Sequence, residues 1–189
     1  MEPVVFESFS KIPRLSRQCI VTEKIDGTNG QILITEEKQL WVGSRNQWIS
    51  TPDCRIQTDP FGFSRWVAEH EDELIEGLGI GRHFGEWWGS GIQRGYGLQK
   101  GEKRFSLFNT SRWSDDAVRP KCCKVVPTLY AGMFDTSIIQ DCLNRLRESG
   151  SIAAPGFMRP EGVVIYHVAA NSMFKKTIEK DEEPKGFSK

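Results

Sequence analysis

The stretch "EKIDGTNG", Glu23 to Gly30, decides how the rest of this chain is read. It separates an apolar run ending at Val21 from a second one, "QILI", Gln31 to Ile34. Asp-Gly pairs make tight turns, so the plainest reading is a β-hairpin with a solvated lysine beside its turn. That reading leaves open why a lysine stands between two strands and is followed at once by a turn and the polar pair Thr28-Asn29.

The whole chain limits what this turn can belong to. Its 189 residues, 38% of them apolar, can bury one real core and little more, so one domain over 1–189 is expected. No apolar run approaches the length of a membrane span, and "MEPVVFESFS" lacks the basic region and long apolar block of a signal peptide; a soluble, cytoplasmic protein follows. The five cysteines are odd in number and scattered, with no C-x-x-C pair set against the three histidines in a zinc spacing, which points to free buried thiols. Formal net charge is zero, which argues against a general nucleic-acid-coating protein. Local basic clusters at Arg94, Lys100, Lys103 and Arg104, and at Arg119, Lys121 and Lys124, leave room for a local groove.

Short segments rich in β-branched and aromatic residues dominate: "CIVTEKI", "GQILITE", "QLWVGSR", "RHFGEWW", "RFSLFNT", "GVVIYHVA" and "SMFKKTI". Two segments read as helices. "FSRWVAEHEDELIEGLG" has apolar residues at near-helical intervals up to Gly79, and "TSIIQDCLNRLRESG" starts on a Thr136 or Ser137 cap and ends at Gly150. The fold class is α+β, mostly antiparallel sheet with flanking helices.

Charged residues occur where strands should carry apolar ones. Glu86 lies inside "HFGEWWG", and Glu161 opens "EGVVIYHV" after Pro160. Lys175 and Lys176 are adjacent in "SMFKKTI", so alternation sends them to opposite faces.

In this order, these stretches resemble the covalent nucleotidyltransferase superfamily of polynucleotide ligases and RNA capping enzymes. "KIDG", Lys24 to Gly27, matches its K-x-D/H-G nucleotidyl motif; "GSRN" around Arg45, "GEWWG" around Glu86, "RFSLFN", "EGVVIY" and "MFKK" match the motifs that follow. Within it, "GTN" from Gly27 to Asn29 and "GEWWGSGIQRGYG" are most similar to the bacteriophage RNA ligase 2 branch. The resemblance implies a nucleotidyltransferase (ATP-grasp-like ligase) domain acting as an ATP-dependent RNA ligase, with ATP and Mg²⁺ (Mn²⁺ possible) as cofactors. Its partner would be RNA, as a nicked duplex or as ends, with DNA open. A minimal DNA ligase, an RNA guanylyltransferase and a non-catalytic module that binds nucleic-acid ends are the alternatives.

The chemistry asks for these residue types on its own account. A lysine that attacks an α-phosphate must be neutral, yet free lysine is almost wholly protonated at pH 7, so a nearby cation such as Lys175 or a bound metal is expected beside Lys24. A hard divalent ion needs oxygen ligands, which singles out Glu161. By resemblance, Glu86 addresses the ribose, Arg45 the phosphate or incoming strand end, and Asn29 the 5′-phosphate end. Phe108 stacks on adenine, with Phe105 the alternative. The backbones of Glu23 and Ile25, with the Glu23 carboxylate, would read the adenine edge. Two departures stand out: Asn109 follows Phe108 where the family has Asp, and the fifth motif, usually K-x-K, here runs Lys175-Lys176-Thr177, with Lys175 favoured over Lys176 as the residue facing the site. The chain ends soon after that motif in "EKDEEPKGFSK", which reads as a frayed end, so a bare catalytic domain without a C-terminal OB or helical domain is expected.

Overall fold

Alternation sets the strands, and the computed structural model describes residues 3–55, 59, 61–179 and 181. In chain order the elements are β1 (Gln18–Lys24), β2 (Thr28–Ile34), β3 (Leu40–Gly43), β4 (Trp48–Thr51), β5 (Cys54–Arg55), α1 (Phe63–Glu69), α2 (Glu71–Leu78) and β6 (Gly81–Gly89). There follow β7 (Lys103–Leu107), α3 (Thr110–Trp113), β8 (Cys123–Val125), β9 (Thr128–Met133), α4 (Thr136–Ser149), β10 (Gly162–His167) and β11 (Ser172–Thr177). The architecture is α+β and largely antiparallel. Residues 182–189, most of the expected frayed end, lie outside the described residues.

Two sheets form. One has four strands in the order β11-β10-β1-β9, and the other seven in the order β5-β4-β3-β2-β6-β7-β8. Every pairing is antiparallel except β7 with β8. The smaller sheet buries Cys19, Val21, Val163 and Ile165 beneath α4, whose Ile139, Cys142, Leu143 and Leu146 form the facing stripe. The larger sheet buries Ile32, Ile34, Val42, Trp87, Phe105 and Leu107 against Phe63, Val67, Leu74, Leu78 and Trp113.

The hairpin reading of the opening stretch does not hold. β1 and β2 never pair: β1 lies between β10 and β9, and β2 between β3 and β6. Residues 25–27 instead carry the chain from one sheet to the other. Ile25 is buried in a third cluster with Trp88, Tyr96, Val126 and Ala154, and removing such a side chain from water contributes roughly 1.5–3 kcal/mol, enough to hold the crossover down.

The expected single helix up to Gly79 is two. At His70 the backbone leaves helical geometry (φ −121°, ψ 21°). Its ring Nδ1 takes the Trp66 carbonyl at 2.8 Å, the acceptor that a continuous helix would give to the His70 N–H. That N–H bonds Val67 O instead, at 3.2 Å. In α4 the cap is Asp135 rather than Thr136 or Ser137, its carboxylate accepting the Ser137 N–H at 2.7 Å, and the helix ends at Gly150 as expected. The five thiols are free, but Cys54 is exposed and not buried. Among the described residues no helix is long and apolar enough to cross a membrane.

Candidate active site

Lys24 is the last residue of β1, and register decides what shares its face. Across the smaller sheet Lys24, Gly162 and Thr177 form one row, and Thr22, Val164 and Lys175 form the next row on the same face. Glu23, Val163 and Lys176 form the row between them, on the face that packs under α4. Lys175 is therefore on Lys24's face, two strands away, and is exposed. Lys176 is on the other face, with its ammonium 3.2 Å from Asp181.

The partner of Lys24 is a carboxylate. Lys24 Nζ donates to Glu161 Oε2 at 2.6 Å, with the two side chains only 18% and 5% exposed. A neighbouring cation was expected there; the free chain places an anion. Gly162 lets β10 come this close to β11, since a Cβ on it would stand 2.2 Å from the Lys176 carbonyl oxygen. Glu161 is thereby pinned directly before the strand, and its own carbonyl accepts the Ile178 N–H at 2.9 Å.

Glu86 reaches the site from the larger sheet. Its Oε1 accepts the Gly27 N–H at 3.0 Å and its Oε2 the Asn29 side-chain amide at 3.1 Å. Burial pushes the carboxyl up to about 7; the Lys24 charge and the Gly27 N–H pull it back, while Glu161 and Asp26 push it further. Gly27 has to be glycine because a Cβ would meet the Trp87 carbonyl at 2.5 Å.

The crossover carries supports that the sequence reading missed. The fully buried Tyr96 hydroxyl accepts the Asp26 N–H at 2.9 Å and donates to the Lys24 carbonyl at 3.4 Å. Arg94 Nε pairs with Asp26 Oδ2 at 3.1 Å while its Nη1 reaches the Arg159 carbonyl at 3.0 Å, tying the turn after Lys24 to the loop before Glu161. Their only sequence signal was the unusual "GIQRGYG", where glycines surround an arginine and a tyrosine.

Arg94 is thus engaged within the protein, and its neighbours are engaged too. Arg104 pairs with Glu102 at 2.6 Å and bonds the Ala153 carbonyl at 3.2 Å. Arg119 holds Asp116 and the Trp113 and Cys123 carbonyls, and Lys103 caps the Phe61 carbonyl at 2.7 Å. Of the two expected basic clusters, Lys100, Lys121 and Lys124 remain exposed.

The Glu23 carboxylate faces away from Lys24. It is 1% exposed and accepts from Ser151 Oγ at 2.5 Å, Ile152 N at 2.8 Å and Ala153 N at 3.0 Å. Burial raises its pKa and those three donors oppose the rise. Its acceptor capacity is thus largely used in anchoring residues 151–153 to β1, and the Glu23 N–H itself donates to the Pro127 carbonyl at 2.9 Å. Phe105 is fully buried among Phe63, Trp66 and Trp87, its ring 5.0 Å from that of Phe63. Phe108 is half-buried against the crossover cluster. Arg45 is exposed in the β3–β4 turn, and among the described residues nothing pairs with it. Its neighbour Ser44 lines, with Thr28, Asn29, Gln47, Asp59 and Phe61, a cavity of about 230 Å³.

As to a metal, no group of three His, Cys, Asp or Glu is gathered among the described residues. The donors fit a different arrangement, in which an Mg²⁺-like ion is held by one or two carboxylates and completed by phosphate and water. Glu161 with Glu86 nearby meets that description.

Comparison with known proteins follows from this geometry. The RNA ligase family profile matches residues 17–178. A mutant Naegleria gruberi RNA ligase solved with AMP and Mn is 18% identical at a TM-score of 0.62, over 85% of this chain and 49% of that one. Another mutant of that ligase, with ATP and Mn, is 17% identical at 0.55, over 86% and 50%. An archaeal ATP-dependent RNA ligase is 19% identical at 0.56, over 89% and 48%. The chain thus spans about half the length of these solved chains, and no curated protein matches it. With a family match from before β1 to beyond β11, and a fold shared with solved ligases, the chain belongs to the RNA ligase family.

Proposed function

We propose that this chain performs nucleotidyl transfer for an ATP-dependent RNA ligase, through a covalent lysyl-AMP on Lys24. The observation that carries the proposal is the Lys24–Glu161 contact of 2.6 Å in a largely buried cleft, with Glu86 placed against it from the other sheet. In the first step Lys24 Nζ bonds to the α-phosphorus of ATP, the bond to the β-phosphate oxygen breaks and pyrophosphate leaves. AMP then passes to a 5′-phosphate end, and attack by a 3′-hydroxyl joins the strands and releases AMP.

This chain's residues divide that work. The amine has to lose a proton before it attacks, and Glu161 Oε2 is the atom placed to hold that proton. A bound Mg²⁺ or Mn²⁺ supplies neutralising charge at the phosphates, and Glu161 is the carboxylate placed to hold it, directly or through water. Lys175, exposed on the same face, is the cation available to the β- and γ-phosphates, whereas Lys176 points under the sheet. Glu86 locks the Gly27 turn and, on the cleft side, addresses the ribose. Phe108 stacks on adenine, whose edge meets the backbone of Glu23 and Ile25. Asn29 and Arg45 receive the strand ends. The solved ligases with ATP or AMP and Mn support this cofactor pair.

Incubation with labelled ATP and Mg²⁺, followed by denaturing electrophoresis, tests it. Label that survives denaturation, is acid-labile and maps to Lys24 is the expected result. Labelling by GTP but not ATP would turn the reading to a capping enzyme, and no label with either nucleotide would reject lysyl-AMP chemistry for this chain.

A further inference from the structure

The seven-stranded sheet continues past the site, and its open face changes character there. Asn29 and Glu86 are register partners at the cleft; the next pair on the same face is Gln31 with Phe84, and the one after is Leu33 with Arg82. These three rows span roughly 13 Å. Trp41, level with Leu33, continues the face onto β3, and Trp48 on β4 meets it edge-on at 5.4 Å between ring centroids. The Arg82 guanidinium lies 5.3 Å from the Trp48 ring and bonds the Gln31 side-chain oxygen. Phe84 is 51% exposed, although it sits in the middle of a strand. Among the described residues Trp41 Nε1 is buried without a hydrogen-bond partner, so this surface is not fully satisfied in the free chain.

We infer that this face is a stacking platform for an unpaired RNA segment running away from the end held at Asn29, with Phe84, Trp48 and the Arg82 guanidinium as its base-contacting groups. Flat rings and guanidinium planes on an open sheet suit splayed bases, which gain most from a π-face and need no sequence match. Arg82, and Arg45 in the adjoining turn, supply the charge that a phosphate backbone requires. The surface is continuous with the site, which gives it a direction as well as an occupant. Elsewhere the arginines of the expected basic clusters already hold carboxylates and carbonyls, whereas Arg45 pairs with nothing among the described residues. The inference rests on the proposed ligase reading, because the RNA end at Asn29 belongs to that reading.

The test is binding, without ATP, of a fluorescent single-stranded oligoribonucleotide and of its blunt duplex to the full chain. Phe84→Ala and Trp48→Ala should each weaken single-strand binding by roughly five- to a hundredfold, the range of one lost base stack. Trp48→Phe should retain most of the affinity, and Arg82→Ala should lose affinity and reduce the salt dependence. Duplex binding should change by no more than about twofold in the ring variants. Unchanged single-strand binding by Phe84→Ala, whose ring is half in solvent and whose melting temperature should match wild type, would overturn the platform. So would equal losses on both probes. Labelling of Lys24 by ATP in the same preparations separates the two readings: labelling without platform binding rejects the platform alone, and binding without labelling rejects the catalytic reading alone.

Discussion

On the four-stranded sheet, the face toward the cleft carries Lys24, Thr22, Lys175 and Thr177; on the seven-stranded sheet it carries Asn29, Glu86, Trp88 and Ser106. The first set is cationic and hydroxylic, the second a carboxylate among amide, hydroxyl and indole groups. On its other side each sheet buries an apolar row, aliphatic under α4 in the smaller sheet apart from the Glu23 carboxylate, and aliphatic and aromatic in the larger. The Lys24 amine and the carboxylate that holds it both come from the smaller sheet or its edge. The larger sheet contributes a group that holds the crossover in place, and beyond it a surface of rings. In the proposed mechanism chemistry and positioning fall to different sheets, and that division can be broken experimentally.

The largest effect should come from Lys24→Ala, which removes the attacking amine of the proposed first step and should abolish covalent labelling; label that persists or maps to another lysine would end the mechanism. Glu161→Gln keeps the shape and removes the charge, and should lower labelling by about two to three orders of magnitude, as loss of a charged group acting on a transition state does. Near-normal labelling in that variant would mean the 2.6 Å contact is only a salt bridge.

Lys175→Ala should follow, with a loss of about tenfold or more, because it takes a cation from the cleft face. Lys176→Ala should cost far less, since that side chain lies on the other face and pairs with Asp181. The reverse order would put the β10–β11 register off by one and flip every neighbour.

From the larger sheet, Glu86→Gln should lower labelling by about tenfold or less and should also change how stability responds to pH. Glu86 titrates near 7 in the folded chain, above its ordinary value of 4.5, so the folded state binds the proton more tightly than the unfolded state. Its contribution is therefore full below about pH 4.5 and is lost as pH rises to about 7, on the order of 3 kcal/mol in all. Glu86→Gln should flatten that part of the curve, measured as melting temperature against pH. Parallel wild-type and variant curves would show that the carboxyl titrates normally. The smallest effect on chemistry should belong to Glu23→Ala: labelling per folded molecule should stay nearly normal while stability falls by about 3 kcal/mol or more, because three buried donors lose their acceptor. A large loss of labelling at unchanged stability would return Glu23 to the nucleotide site.

Most of the strands were legible, and so were the charged residues that interrupt them, because alternation and charged interruptions are local signals. "RHFGEWW" and "EGVVIY" announced themselves by carrying carboxylates where a strand should be apolar. β4, β5, β8 and β9 were not read: β4 and β5 are only four and two residues long, "CCKVVPTLYAGM" is broken by Pro127, and β9 is too exposed to alternate. The break at His70 was hidden because it depends on a ring nitrogen taking one backbone carbonyl, which apolar periodicity does not register.

The sequence by itself determined the class of fold, the family resemblance and the identity of Lys24, Glu86 and Glu161 as a set, since motif order and residue chemistry travel with the chain. Only the tertiary structure decided that Asp26-Gly27 is a crossover between sheets, that Lys175 shares the face of Lys24, and that Arg94, Arg104 and Arg119 hold carboxylates and carbonyls of the protein. Local sequence specifies which residues can turn, pair or ionise. It does not specify the partners they find, because the contacts that choose among them, such as Lys24 with Glu161 137 residues away, form between segments that meet only when both sheets are assembled.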